Sequence, residues 1–218
     1  MLLEALRAEV LAVSQQMYRL GLVTLTSGNI SGLDADSKLV AITPSGVPYD
    51  DMSPEDISVV KLDGTIVEGK YRPSSETPMH TMMYRERPNT GGVCHTHSLY
   101  ATGFAIVKRE IPIICTASMA LGGTIPVADF AFPGTEAVGL SALTALQKGC
   151  RQAVLLQNHG LLTVGSTLGK AFGNAIKAEE TAHTYSIAIQ VGEPVVVMTD
   201  DELHKLLAQR KDKSRPVD

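Results

Sequence analysis

The sequence predicts a single α/β domain, residues 1–218, in which a largely antiparallel central β-sheet is covered by helices. Three observations carry this expectation. At 218 residues the chain can build one sizeable core, and it contains no repeat, low-complexity tract or linker that would divide it. Segments with a helical apolar period alternate with short β-prone runs. Few of the connections are long enough for the crossovers that parallel strands require.

Taken in order, Leu3, Leu6, Val10, Val13, Met17 and Leu20 recur at spacings of three and four, so residues 3–20 form an amphipathic helix that Gly21 can end. Residues 23–30, rich in Thr, Val and Ile but containing Ser27, Gly28 and Asn29, and residues 39–42, ended by Pro44, Ser45 and Gly46, read as two short strands. Ser53-Pro54-Glu55-Asp56 allows one helical turn before a hairpin over 59–67 around Asp63-Gly64. From Ser75, as cap, the pattern is helical, with Pro78 in the first turn and Met79, Met82 and Met83 as an apolar stripe up to Pro88. Residues 92–97 alternate Val93, His95 and His97 with Cys94 and Thr96, a strand with two imidazoles on one face. A helix over 98–107, a strand over 111–115, a Gly122-Gly123 turn, a strand over 125–130 and a helix over 135–146 capped by Thr135 follow. An apolar strand over 153–157 runs into Asn158-His159-Gly160, with 161–164 as its hairpin partner. The longest helix covers 168–191, and a last one over 200–209 precedes a charged tail, 209–218, expected to fray.

Composition narrows the function classes. Lys plus Arg total 19 against 23 Asp plus Glu, a formal charge of −4, and the most basic run is the Arg-Lys-Asp-Lys at 210–213. That balance excludes nucleic acid and anionic membrane as main partners. With 44% apolar and 19% charged residues the chain is too hydrophobic for disorder, yet no apolar stretch approaches the ~20 residues of a membrane span. Cys94, Cys115 and Cys150 are odd in number and lack a CxxC spacing, and residues 1–20 do not read as a signal peptide, so a reducing cytoplasm is expected. A core of this size needs no metal to fold, so any metal bound is functional.

The strongest chemical constellation is His95-x-His97 with His159. Imidazoles at i and i+2 of a strand face the same way, about 7 Å apart, and a third from a strand-end turn completes one face of a tetrahedral zinc site with an open position. The spacing alone leaves open a pair of polar strand residues without metal. Glu76 stands at a helix start, where it can simply complement the helix dipole for ~0.3–1 kcal/mol, or serve as a general base if the helix start meets the histidines. Ser27-Gly28-Asn29, Ser45-Gly46 and Ser74-Ser75 offer hydroxyls and free backbone N–H groups suited to an oxyanion such as phosphate. Cys94, out of phase with His95, is expected in the core; His80 is expected to pack rather than orient Glu76. His183 and His204 are expected at the surface, and Met79, Met82 and Met83 as core filling.

The segments Leu25-Thr26-Ser27-Gly28-Asn29-Ile30-Ser31, Ile42-Thr43-Pro44-Ser45-Gly46, Pro73-Ser74-Ser75-Glu76, His95-Thr96-His97 and Gln157-Asn158-His159-Gly160 resemble, in order, those of the class II aldolase/adducin-head family. The resemblance runs from about residue 2 to about residue 207. It implies that family's fold, a homotetramer with sites at subunit interfaces, and one zinc ion (Zn2+) per subunit on His95, His97 and His159. It also implies Glu76 as the acid/base, able to touch the metal when no substrate is bound, and Gly28, Asn29, Ser45, Gly46, Ser74 and Ser75 as the holders of a sugar phosphate. The implied reaction is reversible cleavage of a ketose 1-phosphate, of the L-fuculose 1-phosphate kind, to dihydroxyacetone phosphate and an aldehyde such as L-lactaldehyde. Within the same resemblance stand an L-ribulose-5-phosphate 4-epimerase, suggested by Thr77-Pro78-Met79-His80, a sugar-phosphate dehydratase or decarboxylase, and, more remotely, a non-enzymatic adducin-like module. Against the epimerase, that enzyme carries aspartate where this chain has Glu76. One position departs from the aldolase pattern: Thr116 stands where a tyrosine that helps protonate the aldehyde oxygen is expected, and no tyrosine follows Tyr185.

Overall fold

The computed structural model describes residues 1–147, 151–199, 201–203, 205, 206 and 208; Cys150, His204 and the expected tail over 209–218 lie outside them. Helix α1 (Glu4–Arg19) turns Val10, Ser14 and Met17 inward, as the apolar spacing requires, and Gly21 follows it at φ 69°. Of residues 23–30, only the last two are in a strand. Thr24 to Ser27 is a tight turn, in which the Ser27 hydroxyl donates to the Thr24 carbonyl at 2.7 Å and accepts from the Thr24 N–H at 3.1 Å. This local pairing outcompetes the β propensity of Thr and Val, and β1 begins only at Asn29 (Asn29–Leu33).

Strands β2 (Val40–Ile42), β3 (Ser58–Val60) and β4 (Ile66–Glu68) continue as a meander, the last two joined through the Asp63-Gly64 turn with Gly64 at φ 86°. Pro54–Asp56 is a single 3-10 turn closed by a Ser53/Asp56 capping box. Helix α2 runs Thr77–Glu86, one residue later than Ser75 would have started it as a cap; Glu76 takes the N-cap position instead. Pro78, which fits only the first helical turn, fixes that start. After β5 (Gly92–Thr96) and α3 (Leu99–Ile106), the two strands expected over 111–115 and 125–130 shrink to one bridge, Ile111 with Ile125, and a two-residue β6 (Val127–Ala128). Pro112 and Pro126, which follow the two bridging residues, have no N–H to extend the ladder, and Thr116–Leu121 becomes a 3-10 helix. Thr135 sits at the N-cap of α4 (Glu136–Leu146), but its hydroxyl donates to Phe132 O rather than capping. Strands β7 (Ala153–Leu156) and β8 (Gly160–Gly165) form the expected hairpin, and α5 (Leu168–Gln190) starts at Thr167, whose hydroxyl accepts from the Lys170 N–H. The described residues from 201 to 208 are helical, with Thr199 and Glu202 exchanging cap hydrogen bonds.

The eight strands make one sheet in the order β4-β3-β2-β1-β5-β8-β7-β6, antiparallel except for β6 with β7. Alternation divides its faces. Val93, Val154, Leu156 and Leu162 pack on Met79, Met83, Val138 and Leu146 of α2 and α4, whereas Ile30, Ala41 and Cys94 pack on Val10, Met17, Phe172 and Ala175 of α1 and α5. Cys94 is thus core, as expected, as are the methionines. Among the described residues no helix is long and apolar enough to cross a membrane.

Helix α2 meets β1 through polar side chains as well. Glu76, His80 and Tyr84 are spaced by four along one helix face, and Asn29 and Ser31 share one face of β1. His80 is wholly buried, with Nε2 2.6 Å from Asn29 Oδ1 and Nδ1 2.7 Å from Ser31 Oγ. Burial pushes its pKa from 6.5 down to about 3. The unfolded chain therefore takes up a proton at His80 below pH 6.5 that the folded protein refuses until near pH 3, so stability contributed by the neutral ring is present above pH 6.5 and is lost as pH falls. Urea unfolding of chelated protein should show about 2 kcal/mol lost through this residue between pH 7 and 5. His80→Gln should give a flatter pH dependence, and parallel curves for the two proteins would refute it.

Candidate metal centre and active site

The site forms where β1, β5 and β8 lie side by side. His95 sits on β5 opposite Asn29 of β1 and Leu162 of β8, and His97 follows just beyond the strand end. His159 comes from the β7–β8 turn, where Asn158 adopts φ 56°, a left-handed conformation that asparagine tolerates. Gly160, next in sequence, lies directly against the imidazoles. A Cβ there would collide with the Thr96 carbonyl oxygen and stand 3.1 Å from His97 Cδ2 and 3.3 Å from His95 Cε1.

The three ring centroids are 4.6 to 5.2 Å apart, and one nitrogen of each ring lies within 4.8 Å of the others. His95 Nδ1–H donates to the Leu161 carbonyl at 3.0 Å, which leaves the Nε2 lone pair facing the cluster. Burial, reinforced by the neighbouring imidazoles His159 and His97, holds the His95 pKa well below 6.5; burial also lowers that of His97 and pushes His159 to about 4. All three are therefore neutral at pH 7, the form that binds metal.

Glu76 enters from the head of α2. Its Oε2 is 3.1 Å from His95 Nε2 and 3.6 Å from His159 Nε2, yet this oxygen is buried and has no hydrogen-bond partner. Burial raises the carboxyl pKa, opposed by the Gly134 N–H, 3.3 Å from Oε1, and by the Asn29 amide. Three neutral nitrogens facing an orphaned carboxylate oxygen form a donor set that fits a divalent cation with an open side.

Beside this cluster three turns make a wall. Gly28 has φ 73°, and a Cβ on it would strike the Val23 side chain and lie 2.9 Å from the His95 carbonyl, so only glycine fits. Gly46, also at φ 73°, follows Ser45, whose N–H donates to Arg72 O. The Ser74 N–H donates to Thr43 O, which ties the second turn to the third, and Ser74 Oγ accepts from the Glu76 N–H. Gly28, Asn29, Ser45, Gly46, Ser74, Ser75, Glu76, His95, His97 and His159 all line one cavity of about 210 Å³. Pro133, which also lines it, and Gly134, which donates to Glu76, went unrecognised because Phe132-Pro133-Gly134 reads only as a turn. His80 packs in the core, as expected, but it bonds Asn29 besides. The exposed Thr116 opens a 3-10 helix and does not line this cavity, and exposed His183 stacks on Tyr100 at 3.9 Å between centroids.

Comparison with known proteins agrees with the geometry. Residues 8–186 match the family model of the class II aldolase and adducin N-terminal domain. A 5-deoxy-D-ribulose 1-phosphate aldolase of Bacillus thuringiensis serovar kurstaki is 36% identical, over 94% of this chain and 95% of its own. An L-ribulose-5-phosphate 4-epimerase of Salmonella paratyphi B is 34% identical over 96% of each. The solved structure of an L-fuculose 1-phosphate aldolase superposes with a TM-score of 0.90 at 32% identity, over 95% of this chain and 96% of that one. From the sheet order, the clustered histidines and these matches, the chain belongs to the class II aldolase and adducin N-terminal domain family, whose aldolases are lyases.

Proposed function

We propose that the protein is a metal-dependent class II aldolase that reversibly cleaves a ketose 1-phosphate, of the L-fuculose 1-phosphate kind, into dihydroxyacetone phosphate and an aldehyde such as L-lactaldehyde. The observation that carries this reading is the meeting, in one cavity, of Glu76 Oε2 with the imidazoles of His95 and His159 beside a wall of serines and glycines. Gly28, Asn29, Ser45, Gly46, Ser74 and Ser75 hold the phosphate through backbone N–H groups, hydroxyls and the Asn29 amide. His95, His97 and His159 hold zinc, which supplies Lewis-acid stabilisation of the negative charge that builds up on the substrate's oxygen. Glu76, made more basic by burial, removes the C–H proton and returns it in the reverse direction. No Schiff-base lysine is required: among the described residues no lysine lines the cavity. The names of two of the relatives, a deoxyribulose and a fuculose phosphate aldolase, support an aldolase over other chemistry. The working form we propose is a cytoplasmic homotetramer with sites at subunit interfaces.

The epimerase of the same family is the second reading, favoured by the 34% identical relative. One measurement separates them. Metal-loaded protein and its chelated control are incubated with dihydroxyacetone phosphate in D₂O, and deuterium entry at C3 is followed by NMR. Metal-dependent exchange is the expected result. Its absence from metallated protein overturns the aldolase reading and directs the assay to L-ribulose 5-phosphate.

A further inference from the structure

The buried polar contact between α2 and β1 bears directly on the site. His80 is neutral, since burial pushes its pKa down to about 3, so its ring carries one N–H. Asn29 Oδ1, 2.6 Å from His80 Nε2, can only accept. The proton therefore resides on Nε2, and Nδ1 accepts from the Ser31 hydroxyl at 2.7 Å. The Tyr84 hydroxyl closes the row: its single hydrogen faces both Ser31 oxygens, Oγ at 2.7 Å and the carbonyl at 2.8 Å. The Ser31 hydroxyl and the His80 Nε2–H then point along the row toward Asn29, and with its Oδ1 engaged by His80 the Asn29 NH₂ is the group left to the cavity that Asn29 and Glu76 both line.

We infer that His80 is a positioning residue: by donating from Nε2 to Asn29 Oδ1 it locks the Asn29 carboxamide with its NH₂ toward Glu76 and the phosphate wall, so that a donor and never an acceptor meets the anionic groups there. The inference deepens the aldolase reading and rests on it for the identity of the anions. Its basis is geometric. Glu76 and His80 lie one turn apart on α2, with the His80 N–H donating to the Glu76 carbonyl at 3.3 Å, while Asn29 pairs directly with His95 across the sheet. One rigid helix thus carries both the carboxylate and the group that orients its neighbour. Without His80 the Asn29 amide could rotate by half a turn and present its oxygen to a carboxylate or phosphate, which repels both.

The test is a double-mutant cycle between His80→Phe and Asn29→Ala, read on metallated protein by affinity for inorganic phosphate and by deuterium exchange into dihydroxyacetone phosphate. His80→Phe alone should weaken both by roughly tenfold, the scale of one well-placed hydrogen bond, while metal content stays at the wild-type level. In the Asn29→Ala background the same change should cost less than about twofold, because the group it orients is gone. Equal losses in both backgrounds, or no loss in folded His80→Phe, would overturn the inference. If His80→Phe does not fold, His80→Gln, whose amide reaches the Nε2 position, is compared with His80→Asn, which reaches only Nδ1. Gln should exceed Asn by roughly tenfold, and equality of the two overturns the inference. Wild-type protein that binds phosphate but exchanges no deuterium would remove the aldolase reading and leave the phosphate cycle to decide on His80 alone.

Discussion

Glu76→Gln should leave the fold, the metal content and the phosphate affinity in place while lowering turnover by roughly 10²-fold or more, the usual cost of losing a positioned proton-transfer group. Glutamine has the same shape and can still accept from the Gly134 N–H through its oxygen, but it cannot hold a proton taken from carbon. Deuterium exchange at C3 of dihydroxyacetone phosphate should fall with turnover, because both need the same proton transfer. The measurement is a paired one, metal content against exchange rate. Near-normal exchange in a fully metallated Glu76→Gln protein would remove Glu76 from the mechanism.

Gly160→Ala should damage the histidine cluster directly. The added carbon would meet the Thr96 carbonyl oxygen on one side and the His97 and His95 rings at 3.1 and 3.3 Å on the other. Thr96 is paired with Leu161 within the sheet, so its carbonyl has little freedom to retreat and the rings must turn instead. Misdirecting the ligands should weaken metal binding by roughly 10- to 100-fold, with about 1–3 kcal/mol of overpacking added. Metal retained after dialysis, together with a thermal melt, reads both effects. Gly103→Ala on α3 is the control: its Cβ would meet nothing within 4 Å, so the change should be neutral or stabilising by up to ~1 kcal/mol. Gly160→Ala protein that keeps wild-type metal affinity would show that the rings are not held by this contact.

Much of the architecture was legible because burial leaves a period behind. Val93 and His95 against Cys94 and Thr96 announced a strand with two different faces, and the two faces do meet different helices. The histidine cluster was legible for the same reason, since i, i+2 geometry is independent of everything around it. Failures fell where a local hydrogen bond or a missing one decided the backbone. The Ser27 hydroxyl made a turn of what Val23, Thr24 and Thr26 would have made a strand, and Pro112 and Pro126 cut two expected strands to a bridge and a two-residue β6.

The site was less legible than its ligands. Glu76 could be recognised as a carboxylate at a helix start, but its approach to His95 joins the head of α2 to β5, a long-range contact that no local pattern encodes. Gly134 and Pro133 gave no signal, because a turn glycine reads the same whether its N–H points to water or to a buried carboxylate. His80 was readable as buried. Its link to Asn29 required two periods to be read together, four along the helix and two along the strand.

The placement of the site on the sheet gives its two sides different mechanical character. His95 lies on β5, laced on both edges to β1 and β8 in the interior of the sheet, so its amide can exchange with solvent only when the sheet itself comes apart. Ser45, Gly46 and Ser75 lie on exposed turns, where small openings cost little. The cavity therefore has one wall that stays still and one that breathes. Groups that must be held to within a fraction of an ångström belong to the first, as does Asn29 on β1, whereas Ser45, Gly46 and Ser75, which we assign to gripping and releasing a phosphate, belong to the second. Capture and release can then proceed without disturbing the imidazoles.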